Sequence, residues 1–241
     1  MRPDPRNVAL LLLEERDSDT SFWRWIKPGQ PLSAKEANKF LLGSILDYQM
    51  QAEVVWENAR RLTEDILGDP DELWHVITAN TLAEWNAKKS EYSLHRFPKA
   101  HERVYTIGTR VLHQYGGDAR NIWNNQSIEA VLYRLGDLRV GKQLSRMVVG
   151  ALVDAGQLHG KADVKVDTHV CRVLGRILRG DAFGSHEKDA VIDLTRAMNP
   201  ENPWLLDRPL YRLGKALCSA EAPRCGECYM SASCVFARSA A

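Results

Sequence analysis

Apolar side chains recur at every third or fourth position along most of this chain. That spacing gathers them on one face of a helix and is typical of amphipathic helices packed around a core. The pattern is clearest in the segments 40–67, 100–112, 128–135, 147–152 and 170–178. The chain shows no alternating strand pattern, no hairpin dipeptide between strands and no internal repeat. The sequence therefore predicts an all-α fold.

Polar signals mark where several of these helices begin. Ser33 with Glu36, and Thr81 with Glu84, have the spacing of a capping box, in which each side chain bonds the backbone of the other residue. Pro70 follows an aspartate and precedes a glutamate, which is typical of a first helical turn. Three helix starts are therefore predicted from local sequence alone.

Polar stretches that contain glycine or proline separate the apolar segments and predict loops. They lie at 27–31, 115–118, 156–165, 180–186 and 199–204. The stretch 156–165 divides the chain best, so one helical unit is predicted at 34–160 and a second at 161–241. The N-terminal helix can pack on either unit.

The composition is that of a globular protein, since 44% of the 241 residues are apolar and 26% are charged. The net charge of +1 counts mildly against a dedicated nucleic-acid binder, although a neutral total can conceal one basic face. The apolar run 8–13 is too short to span a bilayer, and charged residues rather than a cleavage site follow it. We therefore expect a core helix there, in a cytoplasmic protein with no membrane partner.

Four of the five cysteines crowd the C-terminal end of the chain. Cys218, Cys225, Cys228 and Cys234 have the spacing C-x6-C-x2-C-x5-C, and a [4Fe–4S] cluster needs four thiolates around one centre. Zinc modules more often use two C-x2-C pairs, and only one is present, so the cluster is favoured over zinc or unliganded thiols. Cys171 lies on an apolar helix face and is interpreted as a small core residue.

The cysteine spacing resembles the cluster motif of endonuclease III and of the adenine-specific mismatch glycosylases. Two further segments carry the resemblance, P-L-Y-R-L-G-K-A-L-C at 209–218 and V-D-T-H-V-C-R-V at 166–173. The resemblance implies two helical lobes with double-stranded DNA in the cleft between them. A six-helix barrel with a helix-hairpin-helix would span 34–160, and the cluster lobe would combine 161–241 with 1–33 packed on it. In that family the cluster is structural and modulates DNA affinity.

Asp167 precedes an apolar-periodic stretch and fits the N-cap of a helix, where its carboxylate accepts backbone N–H groups. A plain cap is the simpler interpretation of such a residue. The resemblance implies a catalytic role, in which the carboxylate stabilises the positive charge that develops on the sugar as the base leaves.

The family carries a hairpin L-P-G-V-G-x-K before this aspartate, and backbone N–H groups there bind a DNA phosphate. The matching stretch here is L-R-V-G-K-Q at 138–143. The resemblance therefore implies DNA contacts at Arg139, Val140, Gly141 and Lys142.

Two departures from that hairpin change the expected chemistry. Arg139 replaces the first glycine, and a residue with a Cβ is disfavoured at left-handed backbone angles, so a different turn is expected. Gln143 stands where bifunctional members have the lysine that attacks the sugar, and an amide cannot form a Schiff base. Lys142 is one residue away, rotated by roughly 100 degrees on a helix, and suits a phosphate contact better.

Further candidate DNA contacts come from the first half of the chain. Tyr48, Gln49 and Gln51 lie where family members carry glutamines that fill the gap left by a flipped base. The alternative is an ordinary helix surface. Trp23 and Trp25 form either a stacking surface or, as we favour, anchors for the N-terminal segment.

Two groups of basic residues are also candidates for neutralising phosphates. One comprises Arg96, Lys99 and Arg103, and the other comprises Arg172, Arg176 and Arg179. A solvated helix face is the default interpretation of both groups.

The function expected first is excision of a damaged or mismatched base by a monofunctional DNA glycosylase that uses Asp167 and water. This monomeric protein would act on the nucleoid. The alternatives are an iron–sulfur DNA-binding protein with little or no catalysis, a lyase that uses Lys142 through a shifted register, and a small metal-binding module with no nucleic-acid role.

Overall fold

A computed structural model describes residues 2–14 and 23–240 of the chain. All regular elements in these two ranges are helices, and neither range contains a strand. The prediction of an all-α fold is therefore confirmed. No helix in the described part of the chain is long and apolar enough to cross a bilayer.

The α-helices are numbered in chain order. They are α1 (Pro5–Glu14), α2 (Ala34–Leu46), α3 (Ala52–Arg60), α4 (Leu73–Thr78), α5 (Leu82–Ala87), α6 (Lys89–Tyr92), α7 (Lys99–Tyr115), α8 (Arg120–Trp123), α9 (Ile128–Asp137), α10 (Lys142–Asp154), α11 (Thr168–Arg179), α12 (Lys188–Met198), α13 (Asp207–Ala216) and α14 (Val235–Ala240). A π-helical turn, Arg61–Ile66, extends α3. Short 3-10 turns lie at Ser185–Glu187, Pro203–Leu206, Cys225–Glu227 and Ser231–Ser233.

Of the three predicted helix starts, those at Ser33 and Thr81 are confirmed. The start predicted at Pro70 is wrong, since α4 begins at Leu73. The Ser33 hydroxyl accepts the Glu36 N–H at 3.2 Å, and the Glu36 carboxylate accepts the Ser33 N–H at 3.0 Å. Thr81 and Glu84 make the same pair of bonds at 3.3 and 2.8 Å. Each box bonds two of the amides that the first helical turn leaves without partners.

The described residues form two compact units. Residues 23–160 form one, named here the hairpin unit, and residues 2–14 with 161–240 form the other, named the cysteine unit.

In the hairpin unit, α7 packs against α2, α4 and α5, and α10 packs against α2 and α9. Trp74 and Trp123 are fully buried at its centre. Gly108 allows α7 to approach Trp74, because a Cβ at this position would lie 2.8 Å from the indole ring. The core of this unit therefore depends on close helix packing around large aromatic side chains.

The segment before α2 packs on the hairpin unit. The Trp25 indole N–H donates to Glu64 Oε1 at 3.1 Å, and the Trp23 ring lies edge-on to Trp56 with centroids 5.5 Å apart. The interpretation of these tryptophans as anchors is confirmed. This placement differs from the sequence-based division, which joined all of 1–33 to the second unit, because the aromatic contacts hold 23–33 to the first.

In the cysteine unit, α11 packs against α13 and α14, and α1 packs against α12 and α13. Val8 and Leu12 bury one face of α1 in the shared core, as expected for a core helix. This packing surrounds α11 and fixes both its N-terminal end, at Asp167, and the arginines along its exposed side.

Candidate functional site

The helix-hairpin-helix is formed by α9, the hairpin turn (residues 138–141) and α10. Arg139 and Gly141 both have left-handed backbone angles, with φ of +62° and +89°. The Arg139 N–H donates to Gly136 O at 2.9 Å, and the Val140 N–H donates to Leu135 O at 3.0 Å. These bonds close the turn with Arg139 in a region that a residue with a Cβ rarely adopts, and the expected difference from the family's hairpin stays a prediction.

The backbone amides that remain available to an anion lie at the start of α10 and not at the centre of the hairpin turn. Val140 is fully buried and its N–H is bonded to Leu135, so it supports the turn and is not available for the phosphate contact expected of it. Among the residues that the structure describes, the Gly141 and Lys142 amides have no acceptor. Helix N-termini favour anions through such amides and through the helix dipole.

Lys142 and Gln143 occupy the first two positions of α10. The Lys142 side chain is exposed and Gln143 is half-buried. Successive side chains on a helix point about 100 degrees apart. The arrangement keeps Lys142 at the surface beside the unbonded amides, where an ammonium group can contact a phosphate.

Arg103 on α7 braces the hairpin turn. Its Nη2 donates to Arg139 O at 3.3 Å and also to Val140 O. Burial lowers the pKa of Arg103, and the Tyr48 side chain, to which the guanidinium is hydrogen-bonded, partly offsets this effect. The sequence indicated only a basic patch here, and the structure shows that this arginine is directed at the protein backbone.

The Gln49 loop (residues 47–51) connects α2 to α3 and carries a stacked aromatic group. The Tyr48 and His95 rings stack with centroids 4.4 Å apart, and the Tyr48 and Phe97 rings are 6.2 Å apart. His95 Nδ1 accepts the Phe97 N–H at 3.1 Å, so Nε2 carries the proton and donates to Tyr48 O at 2.8 Å. Burial lowers the pKa of His95, which favours this neutral form.

The other two candidates in the Gln49 loop are exposed. Gln49 has a φ of +50°, a conformation that turns the chain sharply at the loop tip. Gln51 is at the N-cap of α3, where its carbonyl accepts from Val54 and Val55 while its side chain makes no capping bond. Both amide side chains are therefore open to a ligand, whereas the faces of the Tyr48 ring are largely engaged.

Asp167 caps α11, as the sequence predicted. Its Oδ1 accepts the His169 N–H at 2.8 Å and the Val170 N–H at 3.0 Å. Its Oδ2 makes no hydrogen bond within the described residues, and the side chain is half-buried. One oxygen therefore fixes the orientation of the carboxylate and leaves the other available to a ligand.

The arginines that follow Asp167 hold the loop of the first cysteine. Arg172 Nε donates to Cys218 O at 2.7 Å, and Arg176 Nη1 donates to Ser219 O at 2.6 Å. Arg179 instead pairs with Glu187 at 2.7 Å. Interpreting these side chains as a solvated face or as phosphate contacts was wrong, because each is directed at the protein itself.

The four C-terminal cysteines line one cavity. Its other walls are mainly apolar, with Ile177, Leu213, Leu217, Pro223, Met230, Phe236 and Ala237 among them. All four thiols are free, and burial raises the pKa of Cys228 and of Cys234. Cys171 is buried and is not among the lining residues, as expected of a core side chain.

The shape of this site bears on what it can hold. No group of three His, Cys, Asp or Glu side chains in the described ranges is placed to bind a metal ion. The four cysteines instead line a partly open space with mainly apolar walls, and Arg176 Nη1 lies 3.5 Å from Cys218 Sγ. Their number matches the four thiolates that an iron–sulfur cluster requires.

No protein-family profile matches the sequence, and no curated protein matches it either. Solved structures do match. A trapped endonuclease III–DNA covalent intermediate, in an estranged-adenine complex, has a TM-score of 0.65 at 18% identity, covering 98% of each chain. A non-covalent endonuclease III–DNA complex gives 0.64 at 18% identity, again over 98% of each chain. A thermostable thymine-DNA glycosylase gives 0.62 at 19% identity, over 98% of this chain and 97% of its own.

These matches extend over nearly all of both units, and they include the segments from which the resemblance was first inferred. Similarity at this level of identity shows the fold alone. The chemistry has to be argued from the residues described above. The chain therefore has the helical fold of endonuclease III and of thymine-DNA glycosylase.

Proposed function

We propose that this protein is a monofunctional DNA glycosylase, which removes a damaged or mismatched base by hydrolysis of its N-glycosidic bond. The observation that carries the proposal is the carboxylate of Asp167, which two backbone amides orient through one oxygen only. It occurs on a fold shared with endonuclease III and thymine-DNA glycosylase.

Double-stranded DNA is the proposed partner, and the hairpin is its proposed anchor. The Gly141 and Lys142 amides would bind a phosphate oxygen at the start of α10, and the Lys142 ammonium group would add a second contact. Gln49, exposed at its loop tip, would fill the gap left by the extruded base. The small net charge of the chain is compatible with this way of binding DNA, because binding through the hairpin requires only a few local hydrogen-bond donors.

Asp167 would act on the sugar. Departure of the base leaves positive charge on the sugar ring, and a nearby carboxylate stabilises that charge without forming a bond. Because Oδ1 is fixed by the His169 and Val170 amides, Oδ2 can face the sugar or hold the attacking water without rearrangement. The carboxylate is thus preorganised for the charge that develops.

Gln143 supports hydrolysis in place of lyase chemistry. A lyase needs an amine that attacks the sugar and forms an imine, and the carboxamide of Gln143 has no such nucleophile. Lys142 supplies an amine on the same helix, but one position earlier and exposed. We therefore expect abasic sites to accumulate uncleaved.

A [4Fe–4S] cluster is the proposed cofactor. Cys218, Cys225, Cys228 and Cys234 would hold it in the cavity that they line, where it would crosslink the C-terminal segment and offer a one-electron couple. The reaction at the sugar uses none of that redox chemistry. The role of the protein around the cluster is to line the cavity with apolar side chains and to fix the Cys218 loop through Arg172 and Arg176.

A panel of duplexes, each with one lesion or mismatch, tests the proposal. We expect one class of duplex to yield abasic sites that break only after alkali, and borohydride to trap no protein on DNA. If borohydride traps the native protein on DNA but not the Lys142→Ala variant, the protein is instead a lyase that uses Lys142. Selective binding to a lesion duplex with no abasic product would favour a DNA-binding protein without catalysis, and no salt-dependent DNA binding at all would exclude both.

A further inference from the structure

Three parts of the hairpin unit that are distant in sequence meet at the side chain of Arg103. Its guanidinium donates to the carbonyl groups of Arg139 and Val140 in the hairpin turn. Its central carbon also lies 5.3 Å from the centroid of the Tyr48 ring in the Gln49 loop. One half-buried side chain therefore contacts both segments that the proposed function assigns to DNA.

The chemistry of arginine suits this double contact. A guanidinium is planar and carries several donors, so Arg103 can bond two carbonyl groups and also contact the Tyr48 side chain, with which it shares a hydrogen bond. His95 holds the same loop, because its Nε2 donates to Tyr48 O at 2.8 Å and its ring stacks on the Tyr48 ring. The Gln49 loop is thus held by both His95 and Arg103.

Arg110 offers a matched comparison on the same helix. It lies seven residues, or about two turns, after Arg103 and so shares its face of α7. Its Nη1 donates to Asp137 O at 2.5 Å, at the end of α9, and within the described residues it makes no hydrogen bond or ring contact with the Gln49 loop. Arg110 therefore supports the hairpin alone, whereas Arg103 supports the hairpin and the loop.

We propose that Arg103 is a positioning residue that ties the Gln49 loop to the hairpin turn, so that phosphate binding and gap filling by Gln49 operate as one unit. The proposal rests on the proposed function for its DNA readout. The link itself is a property of the free protein. Arg103 contacts neither the sugar nor the base, and acts only through the segments that do.

The first experiment needs no DNA. Hydrogen exchange is followed at Tyr48 and Val140, whose N–H groups donate to Leu46 O and Leu135 O. Arg103→Met is expected to speed exchange at both amides, and Arg110→Met is expected to leave Tyr48 unchanged. Unchanged exchange at Tyr48 in Arg103→Met would overturn the link, whether or not the protein acts on DNA.

The second experiment measures coupling on DNA with a double-mutant cycle. Binding to a duplex with one abasic site is compared with binding to the intact duplex. Gln49→Ala should reduce this preference on the order of tenfold in the native background, which is the size of one base-stacking contact. In the Arg103→Met background the same change should have almost no effect, and in the Arg110→Met background its full effect should remain.

A third variant separates positioning from folding. Arg103→Lys keeps a positive donor for the hairpin carbonyls but loses the planar group with several donors that reaches the Tyr48 side chain at the same time. We expect native-like exchange at Val140, faster exchange at Tyr48 and a diminished effect of Gln49→Ala. A full effect of Gln49→Ala in either Arg103 variant contradicts the proposal, and absence of DNA binding by the native protein contradicts the proposed function while leaving the exchange result decisive.

Discussion

At the scale of single residues, Asp167 combines a structural role with a proposed chemical one. The same carboxylate that begins α11 is the group assigned to the sugar. Its two roles use different properties, since capping needs only an oxygen acceptor and stabilising a cationic sugar needs negative charge. Substitutions can therefore separate them.

We expect Asp167→Asn to retain the cap and lose the activity. Asparagine accepts the same two N–H bonds, so the unfolding free energy should change by only a few tenths of a kcal/mol, whereas the neutral amide should lower base excision by on the order of 10²-fold. Urea unfolding and single-turnover excision check the two halves. Native-like excision by the asparagine variant would remove the carboxylate from the mechanism.

Asp167→Ala is the matched control for this prediction. It removes the acceptor as well as the charge, so it should cost about 1 kcal/mol of stability in addition to the activity. If both variants are equally stable, the cap is not a significant part of the stability of the cysteine unit.

At the scale of elements, the hairpin turn carries strain that a glycine would relieve. Arg139 has a φ of +62°, yet its neighbouring amides are bonded and its carbonyl is held by Arg103. A side chain with a Cβ at such angles is disfavoured by about 1–2 kcal/mol. Its side chain is exposed beside the proposed phosphate site, where its charge would contribute to DNA binding.

We expect Arg139→Gly to raise stability and lower DNA affinity. Relief of the strain exceeds the entropy that glycine adds to the unfolded chain, so the unfolding free energy should rise by about 0.5–1 kcal/mol. Loss of one phosphate contact should reduce the salt dependence of binding by about one ion. Urea unfolding and binding titrations at several salt concentrations measure the two effects.

Gly141→Ala is the control for the turn. Gly141 has a φ of +89°, so alanine adds backbone strain there, and the substitution removes no charged side chain. Stability and affinity should both fall in this variant. A parallel fall of both quantities in Arg139→Gly would show that the arginine is needed for the turn itself.

A second element, the connection from α11 to α12, predicts a dependence on pH. Arg179 and Glu187 form two parallel bonds, at 2.7 and 2.9 Å, and Glu187 also accepts the Gly184 N–H at 2.6 Å. The Arg179 guanidinium, followed by that N–H, lowers the pKa of Glu187 to about 2 from an ordinary 4.5. The stabilisation from this carboxylate is therefore complete above the ordinary value and is lost as the pH falls towards 2.

We expect the Tm difference between the native protein and Glu187→Gln to be constant above about pH 5 and to shrink steadily below it, because only the native protein then takes up a proton at this position on unfolding. Melting curves between about pH 2.5 and 6 measure it. A difference that stays constant over this range would contradict the role assigned to the pair.

At the scale of the whole molecule, the cysteines determine whether the C-terminal segment is a metal centre. We expect anaerobically purified protein to contain about four irons and four acid-labile sulfides per chain. Cys228→Ser should lose most of the iron and lower the Tm, since a ligand is removed from the cavity. Zinc in place of iron in the native protein would contradict the proposed cofactor.

Cys171→Ser is the control for that measurement. Cys171 is buried in the core of the cysteine unit and does not line the cavity. The iron content of the Cys171→Ser variant should therefore equal that of the native protein, even if the buried serine hydroxyl lowers the stability.

The features that sequence predicted and those it missed differ in the distance over which their interactions act. The capping boxes and the Asp167 cap join residues two or three positions apart, so local pattern was sufficient. Arg172 bonds Cys218 across 46 positions, and Arg103 bonds Val140 across 37. No local signal specifies such partners, and the basic spacing alone was compatible with several roles.

The arginines of α11 connect the two ends of the cysteine unit. Asp167 begins this helix, and Arg172 and Arg176, one and two turns later, hold the backbone around the first cysteine. If the proposed cluster were lost, these bonds would lose their fixed target and the helix that orients the carboxylate would lose its support. Iron starvation or oxidative stress would then weaken the proposed base removal in the cell, even with the reacting groups chemically intact.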